Sequence, residues 1–288
     1  MIEADFPALY RSADALSLSA QKRFFLALGS QLALLVLAAV LSVVNYPHWA
    51  AAVAQTVILL GALASSIYLF AKRPDRYWYA GRAVAESIKT LTWRYVSVGE
   101  PFEAPDEAAM RQEFTRKLKA VVDQNREVAQ ALTKHLDGPQ ITPAMQAMRS
   151  SPLEARRKTY AEGRIKDQLA WYARKAEFNS TRSEKFFLGL IAINAIGVLS
   201  ALIRIKFADA PYWPTDIFVA AAASLLSWMQ AKRFSELAAS YALAAHEISL
   251  IADQALTPAT AYDFSVFVGD AENAFSREHT QWVARKDS

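Results

Sequence analysis

The residues of this chain that could do chemistry are few and scattered. Ser19-Ala20-Gln21-Lys22 has the S-x-x-K spacing in which a lysine activates a serine nucleophile. The companion boxes of that chemistry are absent, and the segment fits better as the amphipathic approach to an apolar run. His246 stands beside Glu247, a pairing that suits an acid–base couple or, more simply, a helix surface. The other histidines, His48, His135 and His279, are isolated. No two histidines stand four apart, so a helical His₂ metal site has no basis. With no cysteine among 288 residues, disulfides, thiolate zinc sites, iron–sulfur clusters and thiol catalysis are excluded. No phosphate-cradling glycine loop, G-x-S-x-G elbow or H-E-x-x-H is present. The sequence therefore predicts no catalytic residue, no metal site, no cofactor and no enzyme.

Charge offers a second kind of chemistry. Arg149, Arg156, Arg157, Lys158, Arg164, Lys166, Arg174, Lys175, Arg182 and Lys185 form a basic run, with five acidic residues interleaved. Two readings stand open: a solvated helix face flanking a membrane span, or a site for an anionic ligand or lipid. Nucleic acid is not expected, because the cations are diluted along the helices. The third kind is polarity inside apolar sequence. Gln31, Gln55, Ser66 and Asn194 sit among apolar neighbours, as do Thr56, Ser65, Ser224 and Gln230. In hydrocarbon such groups face other helices or water, so they are candidates for interhelical bonds or a pore lining.

The elements that hold these residues read as membrane spans. Between Phe24 and Ala71 there is no Asp, Glu, Lys or Arg. Residues 24–44 and 50–71 each reach the ~20 residues a ~30 Å hydrocarbon core requires, with a short break at Pro47 between them. A second apolar pair follows at 186–203 and 217–231, the latter extended to about 212 if Tyr212 and Trp213 anchor it at the interface. The expected fold is an all-α integral membrane protein with two transmembrane helical hairpins, four spans, and long amphipathic helices on the inner side. Arg11, Lys22 and Arg23 precede the first span, and Lys72, Arg73, Arg76 and Arg82 follow the second. The loop between them has no basic residue, which predicts that both termini lie on the inner side.

The two halves look repeated. Lys22-Arg23-Phe24-Phe25-Leu26 resembles Glu184-Lys185-Phe186-Phe187-Leu188, and Ala71-Lys72-Arg73 matches Ala231-Lys232-Arg233. After each hairpin a helix carries an apolar seam, through Val84, Ile88 and Leu91 in one half and Ile248 and Ile251 in the other. The seam could pack within one chain or between subunits. Residues 106–136 and 259–285 are predicted to form one final helix each, the latter ending on Phe275 and Trp282. A helix is predicted to begin at Ser151-Pro152-Leu153-Glu154, with Ser151 as cap. The domains expected are 1–137 and 151–288, with 138–150 as linker.

Residues 160–190 resemble the opening of SLATT domains, the two-transmembrane effector domains associated with SMODS nucleotidyltransferases and SLOG sensors. The resemblance rests on Tyr160, Arg164, Asp167, Gln168, Trp171, Tyr172, Lys175, Ala176 and Asn179, and on the closing stretch 272–282. It implies a tandem pair of such domains in a bacterial conflict or antiphage system, set in the inner membrane with both termini cytoplasmic. It implies an effector that assembles as a homo-oligomer in the lipid bilayer and forms a pore or disrupts the membrane. The trigger would be a nucleotide signal or a nucleotide-synthesising or nucleotide-sensing partner. The alternative is a non-conducting, membrane-anchored scaffold that recruits a cytoplasmic sensor.

Overall fold

The computed structural model describes residues 1–44 and 46–284, with side chains through Ser276. The predicted stretch 277–282, with Trp282, thus lies outside the described side chains. Among the described residues there are helices and no strand. After a short 3-10 turn at Glu3–Asp5 come α1 (Ala8–Val44), α2 (Trp49–Lys72), α3 (Pro74–Ser97), α4 (Glu107–Gln124), α5 (Arg126–Ala129), α6 (Pro143–Arg149) and α7 (Leu153–Tyr160). A π turn, Ala161–Lys166, joins α7 to α8 (Asp167–Lys206); α9 (Thr215–Lys232), α10 (Phe234–Gln254) and α11 (Ala261–Ala284) complete the chain.

Local chemistry accounts for the breaks. Asp106 caps α4, accepting from the amides of Ala108 and Ala109 at 3.0 and 3.1 Å. The Thr142 hydroxyl accepts from Met145 N at 3.2 Å and starts α6, whose first residue is Pro143. The apolar helices α2 and α9 stop at equivalent arginines: Arg73 and Arg233 have φ of 41° and 51°, and each amide closes onto the carbonyl four residues back. Pro74 then begins α3, where its missing N–H costs nothing. The final helix expected over 106–136 is broken at Asn125, whose amide turns back to Val121 O at 2.8 Å. Ser151 does not cap the following helix. Its hydroxyl closes the preceding turn onto Met148 O at 2.6 Å, and Pro152 takes the cap position without a side-chain bond. Residues 143–149, within the stretch read as linker, form α6, in which Met145 and Arg149 are buried.

The chain divides into two compact units that cut across the sequence order. One, the apolar unit, comprises 22–74 and 174–241; the other, the amphipathic unit, comprises 1–21, 75–173 and the residues from 242 on.

In the apolar unit α2 turns back along α1: Gln55 Nε2 donates to Ala38 O at 3.3 Å, and Gly61 faces Leu34. Likewise α9 runs back along α8, with Ser200 Oγ 3.2 Å from Thr215 Oγ1 and Phe186 stacked on Phe234 at 5.2 Å. Phe25 meets Trp228 edge-on at 5.6 Å, joining α1 to α9. Small residues, Ala38, Ala62 and Ala222, are buried while Leu35, Leu60, Leu63, Ile191, Leu199 and Leu226 are exposed. A water-soluble bundle does the reverse; small residues at helix contacts with large apolar side chains outside suit lipid. Three helical stretches are long and apolar enough to cross a membrane: α1, α2, and the continuous 54-residue helix from Leu153 to Lys206. In each, only 6% of the most apolar stretch is buried. The 18-residue α9, with Asp216 and Lys232 near its ends, is not among them.

The amphipathic unit has the aromatic core the other lacks. Trp93 and Tyr160 meet edge-on at 5.9 Å, Tyr160 and Phe264 at 6.0 Å, and Tyr95, Phe102 and Phe114 form a second cluster at 4.6–5.9 Å. The first part of α1 crosses α3 closely: a Cβ on Gly81 would lie 3.1 Å from Ser17 N, and Ser17 Oγ donates to Trp78 O at 3.1 Å. The loop after α3 presses on α11, where a Cβ on Gly99 would lie 2.6 Å from Val268 Cγ1. Only glycine fits there.

Candidate functional site

Within the amphipathic unit the family-like residues converge. Tyr160, Arg164, Gln168 and Tyr172 share one face of α7, the π turn and α8 because their spacing is four throughout. All four are buried, and so is Glu272 of α11 at 0% exposure. Glu272 accepts from Arg164 Nε at 2.8 Å, Arg164 Nη2 at 2.7 Å and Tyr160 Oη at 3.0 Å. The guanidinium also reaches Gln168 Oε1 at 3.3 Å and lies over the Phe275 ring at 4.8 Å. Lys89 of α3 approaches the same Gln168 oxygen at 3.5 Å. Trp171 is half-buried beneath the Arg82 guanidinium at 5.8 Å.

Electrostatics explain why the cluster tolerates burial. Desolvation alone would push Arg164 toward neutrality, but the two-point bond to Glu272 more than offsets it and raises the pKa above its ordinary value. Burial and the Glu272 charge push the Tyr160 hydroxyl well above its ordinary range, so it stays a donor. Lys89 is pushed down, chiefly by burial. The carboxylate of Glu272 thus has both oxygens taken by fixed donors. Such a group holds three helical segments together and leaves no lone pair poised toward an open cleft.

A second ion-paired strut stands nearby. Arg149 of α6 binds both Glu107 oxygens at 3.1 Å and donates to the carbonyls of Tyr95 and Phe102 at 2.7 and 3.0 Å. Arg156 donates to Arg149 O and Ser151 O at 3.0 Å, and Arg157 to Pro258 O at 2.7 Å. The basic run is therefore two populations. Arg149, Arg156, Arg157 and Arg164 are internal struts, while Lys158, Lys166, Arg174, Lys175, Arg182 and Lys185 are exposed.

The seam residues lie as follows. Val84, Ile88 and Ile248 are buried, Leu91 and Ile251 half-buried. Ile248 and Ile251 line a small apolar pocket with Tyr172, Ala244, Glu247 and Phe275. The seam thus packs inside the amphipathic unit of one chain.

In the apolar unit the polar candidates turn inward on their own helices. Asn194 Nδ2 donates to Leu190 O at 2.8 Å and Ser66 Oγ to Ala62 O at 3.1 Å. Thr56 and Ser65 do the same. Gln55 alone of the four leading candidates bridges to another helix, at Ala38 O. Gln31 is half-buried, and Asn179 is buried with its amide on Lys175 O at 2.7 Å. Among the described residues no group of His, Asp and Glu is arranged to hold a metal ion.

Sequence reasoning missed Glu272 and Lys89 as members of the cluster. A signal was present for Glu272: Phe264, Val268, Ala271 and Phe275 mark the buried stripe of α11, and Glu272 falls inside it. A lone acid on one apolar stripe and a lone arginine on another are complementary.

These features define a membrane-associated helical protein with a lipid-compatible unit and an ion-paired amphipathic one. Residues 7–157 match the family described as SMODS and SLOG-associating 2TM effector domain 3, and residues 160–282 match SMODS and SLOG-associating 2TM effector domain 1. The chain belongs to the SLATT family, with two such domains in tandem. SLATT effector domains are associated with conflict and antiphage systems. Comparison with curated proteins and with solved structures gives no match. Each domain contributes one antiparallel helix pair to the apolar unit, α1 and α2 from the first and α8 and α9 from the second.

Proposed function

We propose that the chain is a four-span protein of the bacterial inner membrane, with both termini cytoplasmic. In this reading it is a non-enzymatic effector that oligomerises and opens the membrane when a nucleotide signal or a partner sensor acts on its inner side. The carrying observation is the inverted packing of the apolar unit, with small residues buried and leucine and isoleucine exposed. Tyr212, 55% exposed, and Trp213 lie just before α9 and would anchor the entry to that segment at the interface.

The test has two parts. A reporter fused after Ser288 is expected to behave as cytoplasmic, and one inserted at Pro47 as external. Purified protein in liposomes is expected to leak ions when the neighbouring sensor or its product is added. The reverse reporter pattern would overturn the orientation, and sealed liposomes under all conditions would overturn pore formation.

One observation favours the non-conducting scaffold as a second reading. Asn194, Ser65, Ser66 and Thr56 satisfy their side chains on their own helices, so they do not demand a water-filled path.

A further inference from the structure

We infer that the exposed stripe Lys175, Phe178, Arg182 and Lys185 on α8 is a docking surface for anionic phospholipid headgroups. The inference rests on the membrane-spanning reading of the apolar unit and names the lipid that unit selects.

Charge is partitioned between the units. By sequence the apolar unit carries 12 Lys and Arg against 5 Asp and Glu, a net +7. The amphipathic unit carries 20 against 23, a net −3. The chain's +4 therefore conceals two opposite signs. The positive charge also gathers at one end of the apolar unit. Lys232 Nζ lies 3.4 Å from the centre of the Phe25 ring and Phe186 stacks on Phe234, so the start of the apolar part of α1, the approach to the apolar part of α8 and the end of α9 share that end. Because α2 runs back along α1, Lys72 and Arg73 return there too.

The α8 residues have a geometry the others lack. Spacings of three, four and three place Lys175, Phe178, Arg182 and Lys185 on one stripe. All four are exposed, Phe178 by 50%. Phe178 lies between two cations, with Lys175 Nζ 5.8 Å and Arg182 Cζ 5.3 Å from its ring centre. Lys185 immediately precedes the apolar sequence that starts at Phe186. Arg182 is ~5 Å earlier along the helix and Lys175 ~15 Å earlier, at ~1.5 Å per residue. The headgroup layer adds ~5–8 Å per leaflet beyond the hydrocarbon. Lys185 and Arg182 therefore lie within it, and Lys175 is about one Debye length outside, where its attraction to an anionic surface is still felt.

The stripe also differs from Arg149, Arg156, Arg157 and Arg164, which are held inside the amphipathic unit by carboxylates and carbonyls. A soluble anion would need several cations converging on one point; a linear stripe leading up to the apolar sequence of a membrane-crossing helix instead meets a field that varies with depth. That geometry suits a surface.

The experiment reconstitutes the full chain in phosphatidylcholine vesicles containing a trace of spin-labelled phosphatidylglycerol or spin-labelled phosphatidylcholine. Resistance to carbonate extraction from wholly neutral vesicles tests the membrane-spanning reading on its own. The wild-type chain is expected to prefer the anionic probe, with the preference declining as salt is raised. Lys175→Gln, Arg182→Gln and Lys185→Gln together are expected to lower it by about fivefold per cation removed, the factor equivalent to ~1 kcal/mol per basic residue. The triple change Lys119→Gln, Lys134→Gln and Lys158→Gln, on exposed positions of the other unit, is expected to leave it unchanged. Excess inorganic phosphate is expected not to abolish it. Carbonate-resistant protein with no anionic preference, equal losses in both triple variants, or displacement by phosphate would each overturn the inference.

Discussion

Arg164 and Glu272 form a two-point ion pair in the interior of the amphipathic unit, 108 residues apart in the chain, with side-chain exposures of 3% and 0%. The pair ties the π turn to α11. The opposing charge is the main compensation for burial, and the neutral contacts to Tyr160, Gln168 and Phe275 do not replace it, so removing one partner leaves the other an uncompensated buried charge. Glu272→Ala is expected to destabilise the unit by ~3–5 kcal/mol, measured by denaturant unfolding in detergent. Arg164→Met with Glu272→Leu is expected to recover most of that loss. A single variant as stable as wild type would show that water reaches the pair.

Gly99 and Val268 make a sharper steric test. Alanine at position 99 would place its Cβ 2.6 Å from one Val268 carbon and 2.8 Å from another. Neither the α11 backbone nor a branched side chain moves easily, so Gly99→Ala is expected to cost ~1–3 kcal/mol. Val268→Ala in the same chain is expected to relieve part of it. Additive effects in the double-mutant cycle would mean the loop does not seat on α11.

Lys89 sets a pH dependence. Burial lowers its pKa in the folded chain, so between that value and the ordinary 10.5 the unfolded state holds more protons. Stability contributed by this group therefore rises with pH through that window. Lys89→Met is expected to raise the melting temperature at neutral pH, and the gain is expected to shrink as pH approaches the ordinary lysine value. A gain independent of pH would assign the effect to packing instead.

The seam residue Ile248 is 3% exposed. Ile248→Asp would bury an unpaired charge beside Phe275 and is expected to lose several kcal/mol of stability. Membrane insertion of the spans is expected to be unaffected. Carbonate extraction and thermal unfolding of the same preparation read the two effects separately.

Asn194 bears on conduction. Its amide is bonded to Leu190 O and exposed. Asn194→Leu is expected to leave the fold and insertion intact while lowering ion leakage, since leucine dewets a polar surface. Unchanged conductance would remove Asn194 from any pore lining.

The apolar helices α1 and α2 were legible because apolar composition alone marks them, and Phe24 to Ala71 contains no charge to interrupt it. The short α9, also expected as a span, is not among the helices long and apolar enough to cross a membrane. The seams were legible as spacing, but spacing does not name the surface on which Ile248 packs. The partnership of Arg164 with Glu272 was hidden for the same reason: each residue is explained by its own helix stripe, and only the fold joins them. The capping of α7 differs from the expectation because a serine hydroxyl can also close onto a preceding carbonyl, and Ser151 bonds Met148 O at 2.6 Å. Asn194 went home to its own helix, a competition between local and interhelical acceptors that composition does not decide.

The amphipathic unit is assembled from three separated stretches of chain, and most of α10 together with α11 supplies the last of them. A ribosome therefore delivers all four apolar helices before it delivers Glu272. The hydrophobic driving force for insertion is complete by then, whereas the amphipathic unit can close only after Glu272 emerges. Its ion-paired lock is therefore the late step of folding, separated in time from burial of the apolar helices.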